Sequence, residues 1–436
     1  MSEPVRVGIV GLGTVGSGAY RLLVDSAAHV ARHAGRPVVV ERVVVRDPQR
    51  PRAVAVPPGL LTTDIATILD DPSISVVALL VGGLEPARSM MVALLESGKD
   101  VVTANKALLA EHGPELFELA RQRGRSIAFE AAVAGGIPIV AAIGECLAAN
   151  RIESIRGILN GTSNFILSRM EEEGADYDEV LRLAQAEGYA EADPAMDVDG
   201  TDATQKLALL THLAFGTWVP WAQIPRRGIE GIDLGLLATA RELGYRIRLL
   251  AIASRAPGAG AGQVSLRVAP TLVRIGTPLA ETRGAFNAVS IVGDAVGRMF
   301  FHGLGAGQMP TASAVVADII DTVVGRTAIT FRTTGMLEAD APTGRRLEAD
   351  MIERHLLRFL VADRPGVLAR IAGSLGEQGI SIASVIQHET GNPSGAVPLV
   401  IMTHRSPAAA VAAAVAAIDR TDVVRGPSIC LGVVDE

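Results

Sequence analysis

Aromatic side chains are scarce. Nine Phe, four Tyr and two Trp make up 3% of the 436 residues. The cores therefore have to be built from Val, Leu, Ile and Ala, as in buried parallel sheets. Cysteine is nearly absent, with Cys146 and Cys430 alone. Two distant cysteines give neither a metal-ligand spacing nor a disulfide framework, and the simple reading is a reducing, cytoplasmic setting. No basic patch stands out, and the net charge is −7. That argues against a chain that tracks a nucleic-acid backbone. Long apolar runs are missing too. The longest without a charge, Ala131 to Gly144, holds Gly135, Gly136 and Pro138 and is too short to span a bilayer. Met1-Ser2-Glu3-Pro4 lacks the basic start of a secretory signal. Neither a membrane nor a nucleic-acid partner is expected.

What is present is a large apolar fraction, 49%, against 20% charged residues. Such a composition supplies sizeable cores and argues against disorder, and the length suits about two to three domains. In the first third, Val5–Val10, Val38–Val45, Ile74–Val81, Asp100–Thr103 and Ser126–Glu130 read as strands. Between them Ser17–Val30, Glu85–Ser97 and Leu108–Arg123 read as helices. This alternation predicts a parallel, doubly wound sheet.

After about residue 150 the pattern becomes mixed α+β. Tyr177–Glu187 and Asp202–Phe215 read as helices, and Leu249–Ala253, Val264–Ala269 and Asn287–Val292 as strands. Ala312–Val324 is a further helix, expected to return to the first domain. A charged stretch from Arg345 and Arg346 and a linker at Met351–Arg354 precede a βαββαβ pattern. Its parts are His355–Val361, Val367–Gln378, Ile380–His388, Val397–Thr403, Pro407–Ile418 and a last strand near Ile429–Val433.

The first motif is Gly11-Leu12-Gly13-Thr14-Val15-Gly16, directly after a strand and before a helix. That context marks a dinucleotide pyrophosphate site. Gly11 permits the tight turn, Gly13 admits the pyrophosphate, and Gly16 lets helix and strand pack closely. The free N–H groups of the helix start face the phosphates. Where the second strand ends, an acid normally holds the ribose 2′-OH of NAD. Here Arg46 stands there, which suits a 2′-phosphate and favours NADP. Asp47 follows at once and keeps NAD open.

Two segments carry candidate chemistry. Thr103-Ala104-Asn105-Lys106 ends a strand of the nucleotide domain, and ligands bind outside the carboxyl ends of such strands. Lys106 is then either a group near the nicotinamide or an exposed lysine opening the next helix. The second segment runs from Glu187 through Glu191, Asp193, Asp197 and Asp199 to Asp202 and Lys206, and is dense in acids. Asp202 and Lys206 are four apart on one helical face. They make either a surface ion pair or a carboxylate cluster for a substrate ammonium beside a proton-handling lysine. Reducing an aldehyde needs such a donor for the developing alkoxide.

Taken together, these segments resemble the homoserine dehydrogenase family. The resemblance also rests on Leu159-Asn160-Gly161-Thr162-Ser163-Asn164 and on Glu187-Gly188-Tyr189-Ala190-Glu191-Ala192-Asp193-Pro194. Asp199-Gly200-Thr201-Asp202-Ala203-Thr204-Gln205-Lys206 and Gly305-Ala306-Gly307-Gln308-Met309-Pro310-Thr311 complete it. It implies a Rossmann-type nucleotide domain over residues 1–145, completed by about 305–345, and an α+β catalytic and dimerisation domain over 146–304. It further implies NAD(P)-dependent reduction of L-aspartate 4-semialdehyde to L-homoserine, on the route to threonine, methionine and isoleucine. By matching positions Lys206 would be the general acid/base and Lys106 a second essential lysine. Glu191, Asp197 and Asp202 would hold the substrate, and Thr103, Gly188, Gly305 and Gly307 would border the cofactor. Glu130-Ala131-Ala132-Val133-Ala134-Gly135-Gly136-Ile137 resembles the family's monovalent-cation site. Glu130 with the backbone oxygens of Val133, Gly135 and Ile137 would surround Na⁺, or the segment is a plain glycine turn. An amino-acid dehydrogenase acting at Cα would share the glycine loop and the acids. Lys106 together with the Asp202–Lys206 pair argues against it, and against a non-catalytic sensor.

Residues 351–436 resemble an ACT domain, a ferredoxin-like βαββαβ module that binds amino acids. The resemblance rests on Asp363-Arg364-Pro365-Gly366-Val367-Leu368 and Gly379-Ile380-Ser381-Ile382. Arg364, Gly366 and Val367, at the turn before its first helix, are candidate effector contacts, with threonine the expected effector. A module that only joins subunits is the other reading. Either implies a homo-oligomer, a homodimer or homotetramer.

Overall fold

The computed structural model describes residues 3–255, 264–333, 351–388 and 396–435. The charged stretch at Arg345 and Arg346, and the end of the segment expected to complete the first domain, lie outside the described residues. The chain forms two compact units. One holds residues 1–161, 201–224 and 285–344, the other 162–200, 225–284 and 345–436.

The first unit is built on a six-stranded parallel sheet. Its order is Leu61–Thr62, Val38–Val44, Val5–Val10, Ile74–Leu79, Asp100–Thr103 and Ile127–Ala128. The two strands that follow Val5–Val10 lie on one side of it and the later ones on the other. That reversal opens a crevice at the carboxyl ends, the topological switch point of a Rossmann-type fold. The strands are runs of Val, Ile and Leu because both faces are covered. Val7, Ile9, Val43, Val77 and Ala78 are fully buried. The helix Gln308–Val323 packs Ala312, Val315 and Ile319 into the same core, so the expected return of the chain is observed. Its contact with the first helix is close because Gly18 has no Cβ, which would lie 2.8 Å from Ala312 Cβ.

The same unit holds an antiparallel ladder of Gly297–Leu304, Phe286–Gly293 and Ile152–Ile158. The helix Thr201–Phe215 also belongs to it and is buried continuously from Thr201 to His212.

The second unit carries strands in the order Tyr245–Arg255, Val264–Arg274, Ile429–Val434, Ile352–Ala362, Ala396–Thr403 and Ile382–Gln387. The last four, with helices Val367–Glu377 and Ala408–Asp419, form the expected βαββαβ module. Its four strands are antiparallel to one another, while Ile429–Val434 runs parallel to Val264–Arg274, and both helices pack on one face around Leu357, Phe359, Ile371, Leu399 and Ile418.

Three local expectations need correcting. The helix expected at Ser17–Val30 is two, Thr14–Asp25 and Ala27–Ala34, broken at Ser26, whose φ of −108° and ψ of 21° leave the helical region. The linker expected at Met351–Arg354 is largely strand, because Ile352–Ala362 begins there. Its charges are satisfied in place: Arg267 holds Glu353 through both carboxylate oxygens, and Arg354 reaches Tyr245 and Asp435. The strand Gly297–Leu304 was not foreseen. Most of its residues are exposed, so no apolar alternation announces it.

Candidate active site

The glycine loop sits at the switch point. Gly11 has φ +98°, and a Cβ there would stand 2.8 Å from the Leu80 carbonyl. Its N–H donates to the Val44 carbonyl at 2.9 Å, which ties the loop to the end of the second strand. A Cβ on Gly16 would lie 2.1 Å from the Gly11 carbonyl. Gly13 is different: it is the N-cap of the helix Thr14–Asp25, has no side chain to cap it, and has nothing within 4 Å of where a Cβ would be. Unsatisfied N–H groups at a helix start, beside open space, form a cradle for an anion. The residues present therefore fit a dinucleotide pyrophosphate. Arg46 is exposed two residues beyond Val44, at the strand end where a ribose would lie.

Lys106 is fixed by its neighbours. Thr103 is buried and its hydroxyl donates to the Leu79 carbonyl at 2.9 Å. Asn105 Oδ1 accepts the Leu108 N–H at 3.0 Å and so caps the helix Lys106–Gln122, as Asn does well. Its Nδ2 reaches the Val81 and Gly83 carbonyls at 2.9 and 2.7 Å. Lys106 thus opens a helix whose start is tied to the loop after the neighbouring strand.

Its ammonium meets Asp202. Lys106 Nζ lies 3.0 Å from Asp202 Oδ1, and Lys206 Nζ lies 2.7 Å from Asp202 Oδ2. The Asp202 and Lys206 side chains are 6% and 11% exposed and Lys106 is 37% exposed. The Asp202–Lys206 pair is therefore buried, and the surface ion-pair reading falls. Lys206 also donates to the Leu159 carbonyl at 2.8 Å, and Asn160 Nδ2 to Asp202 Oδ2 at 3.0 Å. Burial alone would push the Asp202 carboxyl up. The two lysines, with hydrogen bonds from Lys206 and Asn160, outweigh it and hold the group well below the usual carboxylate range. Asp202 stays ionised between two cations. Expected to hold substrate, it already accepts three N–H donors.

Glu191, Asp197 and Gly188 belong to the second unit. Gly188 has φ +79° and follows the helix Tyr177–Ala186. Glu191 is exposed, and its carbonyl accepts Gln185 Nε2 at 3.2 Å. Asp197 lies in the short helix Ala195–Val198, with its carbonyl accepting Ser163 Oγ at 2.7 Å.

In the first unit Val133, Gly135 and Ile137 are buried, with Gly135 at φ +52°. Gly135 stacks on the 304–307 loop: a Cβ there would be 2.4 Å from the Gly305 carbonyl. Gly307 has φ +125° and is the N-cap of Gln308–Val323. The Glu130 carboxylate accepts the N–H groups of Val140 and Ala141 at 2.9 and 2.8 Å. Burial pushes Glu130 up to about 7, against the pull of those N–H groups. Asp318, whose carboxylate accepts the Glu130 N–H at 2.9 Å, is raised well above its ordinary value by burial and by Glu130. Among the described residues no group of three or more His, Cys, Asp or Glu is arranged for a metal. No helix of theirs is long and apolar enough to cross a membrane.

In the C-terminal module Gly366 has φ +91° and is the N-cap of Val367–Glu377, and Val367 is buried. Arg364 is exposed and donates to Asp422 Oδ2 at 2.6 Å.

Asn105, Asn160, Asn287 and Asp318 escaped the list of candidate residues. Asn105 stands three before Leu108, an N-cap spacing that could have been read. Asp318 is a buried acid on the helix Gln308–Val323, on the face that carries Val315 and Ile319.

Three family models match. "Homoserine dehydrogenase, NAD binding domain" covers residues 11–130, "Homoserine dehydrogenase" 138–320 and "ACT domain" 355–420. A homoserine dehydrogenase of Synechocystis is 44% identical over 92% of each chain. The crystal structure of a homoserine dehydrogenase from Thiobacillus denitrificans is 42% identical, covers 99% of both chains and superposes with a TM-score of 0.91. A hyperthermophilic archaeal homoserine dehydrogenase mutant in complex with NADPH is 25% identical, with a TM-score of 0.59 over 73% of this chain and 97% of that one. With a dinucleotide cradle, two lysines on a buried aspartate and an ACT module on one polypeptide, the chain belongs to the homoserine dehydrogenase family of NAD(P)-dependent oxidoreductases.

Proposed function

We propose that the protein reversibly reduces L-aspartate 4-semialdehyde to L-homoserine with NADPH, and that threonine inhibits it through the ACT module. The observation that carries the reaction is the Lys106–Asp202–Lys206 triad. An ammonium has three N–H donors. Two of those on Lys206 are taken by Leu159 and Asp202, which leaves the third for the substrate's carbonyl oxygen. Lys206 then protonates the alkoxide as it forms, and takes the proton back in the reverse direction. Asp202 keeps both ammonium groups together in a buried site where like charges would otherwise separate. Lys106 adds positive charge where the oxyanion develops. The nicotinamide supplies the hydride when bound. The substrate ammonium falls to Glu191 and Asp197, because Asp202 is already surrounded by donors.

Arg46 supports the NADP preference, and NADPH in the archaeal relative agrees with it. Arg46→Ser should lower the NADPH-to-NADH ratio of kcat/KM, and an unchanged ratio removes Arg46 from the assignment. Gly11 to Gly16, Thr103, Gly188, Gly305 and Gly307 are assigned to the cofactor. A Na⁺ or other monovalent cation is assigned to the carbonyls of Val133, Gly135 and Ile137, with Glu130. The functional division 1–145, 146–304 and 351–436 is retained, together with a cytoplasmic homodimer or homotetramer. Arg364, Gly366 and Val367 are assigned to threonine.

The test follows NADPH oxidation with aspartate 4-semialdehyde, with and without threonine. Turnover that threonine suppresses is expected, with Arg364→Ala relieving the suppression. No turnover with the semialdehyde refutes the reaction, and threonine-insensitive turnover refutes the regulation alone.

A further inference from the structure

Lys206 Nζ has two acceptors, the Leu159 carbonyl at 2.8 Å and Asp202 Oδ2 at 2.7 Å. Each also receives an asparagine amide. Asn287 Nδ2 donates to the Leu159 carbonyl at 3.1 Å, and Asn160 Nδ2 to Asp202 Oδ2 at 3.0 Å. Leu159 and Asn160 follow the strand Ile152–Ile158, and Asn287 lies on the strand Phe286–Gly293 that pairs with it. Both asparagines are buried, at 5% and 1% exposure. Gly305 closes over Asn287: a Cβ there would stand 2.0 to 2.3 Å from its amide atoms.

We infer that Asn287 and Asn160 are positioning residues for the proton transfer. They hold the two acceptors of Lys206 and thereby fix the direction of its third N–H. The inference rests on the role given to Lys206 above. A lysine ammonium is a point charge on a flexible four-carbon stem, and misdirection by a fraction of an ångström is costly in a reacting site. One acceptor just past a strand and one on a buried helix, each held by a second donor, remove that freedom.

One detail separates this role from simple packing. Asn287 Oδ1 is buried and finds no partner among the described residues. A buried acceptor without a donor carries a desolvation cost that an apolar side chain of similar shape avoids. What Asn287 contributes here is its N–H to the Leu159 carbonyl.

The test uses the full-length protein, NADPH and aspartate 4-semialdehyde. Asn287→Ala and Asn160→Ala should each lower kcat by about 10- to 100-fold. KM should stay within about threefold and the NADPH Kd unchanged, since the loss is confined to the transition state. The solvent deuterium isotope effect on kcat should rise as proton transfer becomes limiting. In a Lys206→Ala background, the residual single-turnover rate should not fall further when Asn287→Ala is added, because both changes remove one device. Should Asn287→Ala fail to fold beneath Gly305, Asn160→Ala, which lies away from that contact, decides the matter in the same assays. Normal kcat in the asparagine variants overturns the inference. So does a loss that persists undiminished in the Lys206→Ala background, which would make the asparagines structural. If Lys206→Ala itself turns over normally, the reading of Lys206 fails and this one with it. An inactive Lys206→Ala beside normal asparagine variants fails this inference alone.

Discussion

Replacing Asp202 by Asn keeps the shape of the side chain and removes the charge between Lys106 and Lys206. The two lysines lie 3.0 and 2.7 Å away, and one amide cannot accept from both and from Asn160 as the carboxylate does. Breaking a buried pair by removing one partner costs about 3–5 kcal/mol. Most of this falls on Lys206, whose side chain is 11% exposed. Lys106 is 37% exposed, and water screens its share to about 0–1 kcal/mol. At about 2–4 °C per kcal/mol for a unit of this size, melting should fall by roughly 10 °C. The pH dependence has a definite sign. The Asp202 carboxyl is held below its ordinary value of 3.8. Its contribution is therefore full above that value and is lost as pH falls through the depressed one. The gap between wild type and Asp202→Asn should stay constant from neutral pH down to about 5 and close only in strong acid. Turnover should fall by about 100-fold with the lysine misplaced, while NADPH binding survives. The assays are scanning calorimetry across pH and steady-state kinetics. Unchanged melting with near-normal kcat would refute the reasoning, because it would mean the lysines need no shared counter-charge.

Other perturbations separate folding from function. Gly13→Ala should leave melting unchanged, because nothing lies within 4 Å of the new Cβ. It should weaken NADPH binding by at least about tenfold, because the pyrophosphate needs that space; unaltered affinity by titration would contradict the cradle. Gly16→Ala should damage both properties, since its Cβ would lie 2.1 Å from the Gly11 carbonyl. Glu130→Gln tests the buried carboxyl. Because Glu130 is raised from 4.5 to about 7, wild type loses stability as pH climbs between those values. The Gln variant should gain on it by up to about 3 kcal/mol by pH 8, and denaturant titrations showing no such gain would refute the raised pKa.

The nucleotide fold was legible because its signals are local. Val5–Val10 and Val38–Val44 are short strands rich in Val and Ile, and the glycines fall in register on one turn. The ACT module was legible because amphipathic Val367–Glu377 shows its buried Val367, Ile371 and Leu375 at helical spacing. The site was legible only in part. Asp202 and Lys206 announce themselves by a spacing of four, but that spacing does not say that the helix is buried on every side from Thr201 to His212. Nor can spacing bring Lys106 to Asp202, since that contact is made by the fold. The asparagine partners were hidden for the same reason: Asn287 and Leu159 are 128 residues apart. The break at Ser26 and the strand over Ile352–Arg354 were missed because they depend on single backbone angles and on distant ion partners.

The central claim is that Lys206 delivers the proton. The most direct measurement is single-turnover reduction of aspartate 4-semialdehyde by Lys206→Ala with NADPH already bound. Hydride transfer slowed by about 10²- to 10⁴-fold with NADPH affinity intact is expected. Turnover near the wild-type rate would contradict it.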